Sequence, residues 1–246
     1  MKKSIFTLFL LIAGLAAFTA EAETRVLNIK QSFSALDASA GVKIIYQPTS
    51  GGQRTVKITG DTKRINEVDV RISGKTLKIS PKANKMGSRS GNRIKGVVVT
   101  VIAPMVDDIE ASSGASIRCN TAMNTGSKKM EIDVSSGAVV NFSAISCRKI
   151  EVDASSGSVV NIKSLNADKA ELDVSSGASV TLSTATTKDI DCDASSGSVI
   201  KLGGGTSVKG SFSASSGGSI KGSTFSVRDS RIDKSVGGSI RLNTRN

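Results

Sequence analysis

Ser-Ser-Gly begins at positions 112, 135, 155, 175, 195 and 215, and Ser235-Val236-Gly237 stands where a seventh copy would fall. A serine beside a glycine invites comparison with a hydrolytic nucleophile, but a nucleophile needs a base, and the chain has no histidine. One nucleophile repeated along a chain also serves no single reaction centre. The carboxylates are the second chemical candidate. Two residues before the first serine stand Glu110, Asp133, Asp153, Asp173, Asp193 and Asp233. Four before it stand Asp108, Glu131, Glu151, Glu171 and Asp191. Paired carboxylates hydrolyse glycosides, and clustered carboxylate oxygens suit calcium. Here the nonapeptide calcium pattern is absent, and no long insertion interrupts the copies to build a cleft. Lys149, Lys169, Lys188 and Lys209 lie close by as counter-charges. Neutralisation by lysine is therefore expected, with no catalytic residue, metal or cofactor.

The spacing says what these residues are for. From position 135 onward the copies are 20 residues apart, and the first interval of 23 implies a small insertion near residues 120–128. A fixed period of this size signals a solenoid. Aligned copies show apolar columns: Val152, Leu172 and Cys192 three residues before the serine, and Val160, Val180 and Ile200 five after it. Within each flank the apolar positions are two apart, which is a strand with one buried face. The unit is thus strand, Ser-Ser-Gly corner, strand and a polar return such as SLNAD. Successive units stack at about 4.8 Å. The fold class is all-β, a right-handed parallel β-helix of about 20 residues per coil, handed as parallel crossovers are. Gly supplies the positive φ of a sharp corner, and the serines would hydrogen-bond backbone or one another. Cys119, Cys147 and Cys192 lack metal-ligand spacing and read as small core residues rather than a disulfide.

Lys2 and Lys3 precede the apolar run IFTLFLLIAGLAAF, which closes on Ala20-Glu21-Ala22. This is the pattern of a cleavable secretory signal, and the run is short for a membrane span of about 20 residues. Cleavage after Ala22 removes two Lys and one Glu, leaving 31 basic and 20 acidic residues, a net +11. Such a balance points to acidic partners, with plain solubility as the competing explanation. Nucleic acid is not expected, because few aromatic residues are present to stack on bases. Residues 23–102 lack the period but remain β-rich, with a hairpin turn at Ser73-Gly74-Lys75 and a short helix or turn at DTKRINE. Ser39-Ala40-Gly41 resembles a degenerate corner from which the solenoid would start. The loop KANKMGSRSGNRIK, residues 82–95, is basic and carries no acid. Lys82, Lys85, Arg89, Arg93 and Lys95 are the candidate contacts for an anionic ligand. The division expected is a signal peptide at 1–22, a β-rich part at 23–102 and β-helix repeats at 103–246.

FSALDASAGVKIIYQ followed by TVKITGD, the hairpin VRISGKTLKIS, then VTVIAP and IEASSGASI together resemble the head GIN domain family of auto-transporter adhesins. The resemblance covers nearly all of the mature chain and rests on order and spacing. The eponymous Gly-Ile-Asn stands here as Gly41-Val42-Lys43, so a role tied to that amide does not carry over. The resemblance implies a β-helical fold, a cell-envelope location and no catalytic activity. No C-terminal translocator barrel follows the last coil, so the auto-transporter label is not expected to apply literally. Three function classes remain: a non-enzymatic envelope or surface binding protein, with adhesion to glycan or protein leading; a polysaccharide-acting β-helix enzyme; and a scaffold that self-assembles into a homo-oligomer through open strand edges. Location is expected in the periplasm or at the cell surface.

Overall fold

The computed structural model describes residues 22–84, 87 and 90–244; the expected signal segment, apart from Ala22, lies outside them. In chain order the elements are β1 (Glu23–Asn28), β2 (Ala35–Ala38), β3 (Lys43–Pro48), β4 (Thr55–Gly60), α1 (Thr62–Ile65), β5 (Val68–Ser73) and β6 (Thr76–Pro81). A 3-10 turn (Gly91–Ile94) precedes β7 (Val98–Ala103) and β8 (Asp108–Ala111). The long strands follow: β9 (Ser116–Val134), β10 (Val139–Ala154), β11 (Val159–Val174), β12 (Ser179–Ala194), β13 (Val199–Ala214), β14 (Ser219–Lys234) and the short β15 (Ser239–Thr244). From β9 to β15 each strand pairs in parallel with the next. The register is the sequence period itself, Val159 opposite Ser179 and Asp173 opposite Asp193. The molecule is a β-solenoid of about seven turns.

The buried columns are those the alternation predicts. Val160, Leu172, Val180 and Ile200 are shut off from solvent, and each such aliphatic side chain contributes about 1.5–3 kcal/mol by leaving water. The polar return is a strand too, which corrects the sequence reading. Leu165 and Ala167 point inward between exposed Ser164, Asn166 and Asp168. Pairing skips only Lys163 and Asp168, where the strand bends, so each turn has three straight runs. The insertion in the first coil falls where expected, as three register shifts of β9 against β10 between Cys119 and Lys129.

Each of the six Ser-Ser-Gly corners uses two left-handed residues, not one. Ser156 has φ 53° and Gly157 φ 71°, and the pair repeats through Ser216 and Gly217. The corner glycines from Gly114 to Gly197 donate their N–H up the stack, as from Gly157 to the carbonyl of Ser176 at 3.0 Å, and at the sixth corner the N–H of Ser216 donates to the Val236 carbonyl instead. The serine after the glycine, where present, turns inward: Ser158 Oγ donates to the Val134 carbonyl at 2.8 Å. Among the described residues the corner serines themselves make no side-chain hydrogen bond to one another, and backbone carries the ladder.

Ala40 (φ 55°) and Gly41 (φ 78°) reproduce the corner geometry. β2 and β3 pair in parallel with β8 and β9, placing Leu36 against Ile109 and Ile44 against Ile117. β6 and β7 pair with β2 and β3 in the same way. Residues 82–97 thus link β6 to β7 where a corner would otherwise stand. Beyond them β5 and β4 pair antiparallel with β6 and β7, and β1 with β4. Asp61 caps α1 by accepting from the N–H groups of Lys63 and Arg64.

Candidate ligand-binding surfaces

The strand run entering each corner carries the carboxylates outward in two ladders. One is closed by lysines. Lys149 Nζ lies 2.6 Å from Glu151 and 2.8 Å from Glu171 of the next coil, and Lys169 lies 2.5 Å from Glu171. Lys129 bridges Glu131 and Glu151 in the same manner. These bonds hold Glu151 below the usual carboxylate range and bring Glu171 down to about 2. The expected neutralisation is therefore present on this ladder, with two corrections to its members. Lys188 instead reaches Asp168 at 2.7 Å, and Lys209 makes no ion pair among the described residues. A one-residue offset aims Lys188 away from the column that Lys149 and Lys169 share.

The second ladder, Asp133, Asp153, Asp173 and Asp193, has no such partner among the described residues. With Ser135, Ser155 and Ser175 it lines an open trench of about 520 Å³. Burial against the trench wall, then repulsion from neighbouring carboxylates, raises Asp133, Asp153 and Asp173. Asp108, at the start of this side, rises to about 6 for the same two reasons. Among the described residues no group of three or more His, Cys, Asp or Glu is arranged to hold a metal ion. The three thiols are buried and free, and burial pushes Cys147 up to about 11 and Cys192 well above its ordinary value, which makes them poor nucleophiles.

The basic loop is placed differently from its simple reading. Arg93 is committed to structure: its guanidinium pairs with Glu67 and donates to the Lys82 carbonyl at 3.0 Å. Lys82 and Lys95 are exposed, while Lys85 and Arg89 lie outside the described residues. The 3-10 turn within the loop presses onto the degenerate corner. A methyl group on Gly91 would stand 2.8 Å from the Ala40 carbonyl oxygen, so only glycine permits the approach. Beside this contact an open cleft of about 550 Å³ is lined by Lys43, Lys95, Ser90, Asn92, Gly41 and Ser113. The corner stack is loose here. Val42 N–H reaches the Ser39 carbonyl only at 3.5 Å, against 3.1 Å for Ala115 and Ser112, and among the described residues no bond joins Gly41 to Ser113. The structure so brings Lys95 together with Lys43, which sequence reasoning did not single out as a contact. Its place in the Gly41-Val42-Lys43 tripeptide, exposed beside buried Val42, was the available signal.

These surfaces belong to a nearly all-β solenoid that presents repeated side chains on its outer faces. The chain belongs to the family described as "Putative auto-transporter adhesin, head GIN domain", whose model matches residues 32–164 and 151–246. No curated protein sequence matches it. Solved structures share the fold at low identity. A "putative adhesin" from Bacteroides fragilis NCTC 9343 is 15% identical with a TM-score of 0.75, covering 91% of this chain and 97% of that one. A "putative adhesin" from Parabacteroides merdae ATCC 43184 is 15% identical with a TM-score of 0.67, covering 93% and 98%. A "putative lipid binding protein" from Parabacteroides distasonis ATCC 8503 is 14% identical with a TM-score of 0.75, over 93% and 98%. Among the described residues no helix is long and apolar enough to cross a membrane.

Proposed function

We propose that this chain is a non-enzymatic binding protein of the cell envelope or surface, an adhesin recognising glycan or protein. The observation that carries the reading is the cleft at the basic loop, where exposed Lys43 and Lys95 line an opening beside the Ala40-Gly41 corner. Two further features support it. The chain belongs to a family described as adhesins. β1 begins at Glu23, the first residue after the expected cleavage point. In this reading the basic residues at the loop, Lys82, Lys85, Arg89 and Lys95, contact an anionic group of the partner, and Arg93 holds the loop in place through Glu67. The repeats at 103–246 act as a rigid stalk that presents the region built from residues 23–102.

The test is carried out on producing cells. Protease applied to intact cells should remove the mature chain while a periplasmic marker survives. A deletion strain should attach less well to glycan- or protein-coated surfaces than its complemented parent. Protection of the chain until the outer membrane is opened, together with unchanged attachment, would overturn the adhesin reading.

A further inference from the structure

The strand run leaving each corner has a charge pattern opposite to the one entering it. Its outward positions form unbroken transverse rows, because the parallel register stacks equivalent residues. One row passes from Lys57 through Thr100 and Ile45 to Arg118. It continues through Asn141, Asn161 and Thr181 to Lys201, Lys221 and Arg241. No Asp or Glu occurs in these runs, from residues 43–48, 55–60 and 98–103 to 239–243. Lys43, Lys57, Arg118, Lys163, Lys201, Lys221 and Arg241 are all exposed, and among the described residues none of them has an ion-pair partner. On the entering side, by contrast, lysines are consumed by the glutamate ladder. The molecule therefore sorts its charge between two outer faces of the solenoid: the carboxylates gather on the entering runs, and the leaving runs named above carry cations alone.

The middle of this side is shaped. A shallow groove of about 210 Å³ is lined by Arg118, Asn120, Asn141, Ser143, Asn161 and Lys163. Asn161 Nδ2 donates to Asn141 Oδ1 at 3.0 Å, which fixes both amides and leaves Asn141 Nδ2 to donate outward and Asn161 Oδ1 to accept. Rigid amides between two cations offer paired donors and acceptors for hydroxyl groups with cationic clamps for a carboxylate or sulfate. Beyond the groove the row continues through Thr181 to Lys201 and Lys221.

We infer that the face built by these carboxylate-free runs is a docking surface for an extended anionic polysaccharide, seated on the Arg118–Asn141–Asn161–Lys163 groove and running along the stacked coils. The inference rests on the binding reading above and adds the ligand class and a second contact surface. Charge complementarity selects a polyanion. Fixed amides with no aromatic side chain in the groove lining beyond buried Phe142 select a hydroxyl-rich polymer over stacked bases.

Polygalacturonate binding by the mature chain, followed calorimetrically at two ionic strengths with neutral dextran as control, tests this. Polygalacturonate should bind, more weakly at high salt, and dextran should not. Arg118→Ser with Lys163→Ser should weaken binding about tenfold, a loss of about 1.4 kcal/mol, with the circular dichroism spectrum and melting midpoint unchanged. Should that pair melt early, Lys201→Ser with Lys221→Ser provides the same readout further along the row. Lys82→Ser with Lys95→Ser should weaken binding less than the groove pair. Loss only on the loop substitutions would overturn the docking surface and leave the proposed function standing. No binding of polygalacturonate at low salt would overturn it as well, whatever the attachment phenotype. Equally tight, groove-dependent binding of single-stranded DNA would overturn the assignment to polysaccharide.

Discussion

Lys149 reaches across a coil boundary to Glu171, Nζ to carboxylate oxygen 2.8 Å, and so joins two turns of the solenoid by side chains as well as backbone. The sign of its pH dependence follows from the carboxylate. Glu171 is brought from an ordinary 4.5 down to about 2, chiefly by hydrogen bonds from Lys149 and Lys169. A depressed acid contributes stability above its unfolded value and loses it as the pH falls toward the folded one. Glu171→Gln should therefore lower the melting midpoint at pH 7, and the gap to the parent should close between about pH 4.5 and pH 2. A gap that stays constant over that range would show that the pair does not stabilise the fold.

Asp108 should behave in the opposite sense. Its carboxyl is raised from 3.8 to about 6 by burial and by Glu110, Glu131 and Asp133. The folded protein holds that proton more tightly than the unfolded chain does. Stability is thus greatest below 3.8 and is lost as the pH rises through 6. Asp108→Asn, which keeps the shape and removes the charge, should raise the melting midpoint at pH 7.5 and leave it unchanged at pH 3.5. Thermal melts at the two pH values decide it, and a lower midpoint at pH 7.5 would count against burial and repulsion as what raises this carboxyl.

The corners make a conformational prediction that separates two residues of one motif. Gly177 has φ 72° with nothing within 4 Å of where a Cβ would stand, so its conformation and not its space demands glycine. Gly177→Val should cost about 1–2 kcal/mol from the left-handed backbone. Ser175→Ala should stay within about 0.5 kcal/mol, because the described structure gives that hydroxyl no hydrogen bond. Ser176, at φ 52°, should tolerate glycine and resist valine. Urea unfolding of the four variants checks the order, and equal, negligible losses for Gly177→Val and Ser175→Ala would contradict the corner geometry.

The legible part of this fold is what the period repeats. Val160 and Leu172 could be placed in the core because their columns return every 20 residues, and Ala40-Gly41 could be read as a corner from the flanking pattern alone. The return strand was hidden because its outward residues are Asn, Asp and Ser, types that also build loops, while its inward Ala167 is a weak apolar signal. The left-handed Ser156 was hidden because conformation at a non-glycine residue is set by its neighbours. The candidate contacts show the same boundary. The charge of the loop is visible in sequence, but the pairing of Arg93 with Glu67 joins residues far apart in the chain. The sorting of charge between two sides becomes visible only when Arg118 and Lys201 are laid into one row by the register.

Phe212 and Gly210 show how a bulky side chain is admitted to a solenoid of fixed cross-section. A methyl group on Gly210 would stand 2.5 Å from the Phe212 ring, and the ring is fully buried. In the neighbouring coil the two positions hold Ile190 and Cys192, so large and small exchange places within one layer. Gly210→Ala should then cost about 1–3 kcal/mol by overpacking. Phe212→Leu should cost a similar amount through the space it leaves. Together they should cost clearly less than the sum, because each relieves the strain of the other. Urea denaturation of the parent, both single variants and the double variant supplies the cycle. Strict additivity would show that the two residues do not share the space the structure gives them.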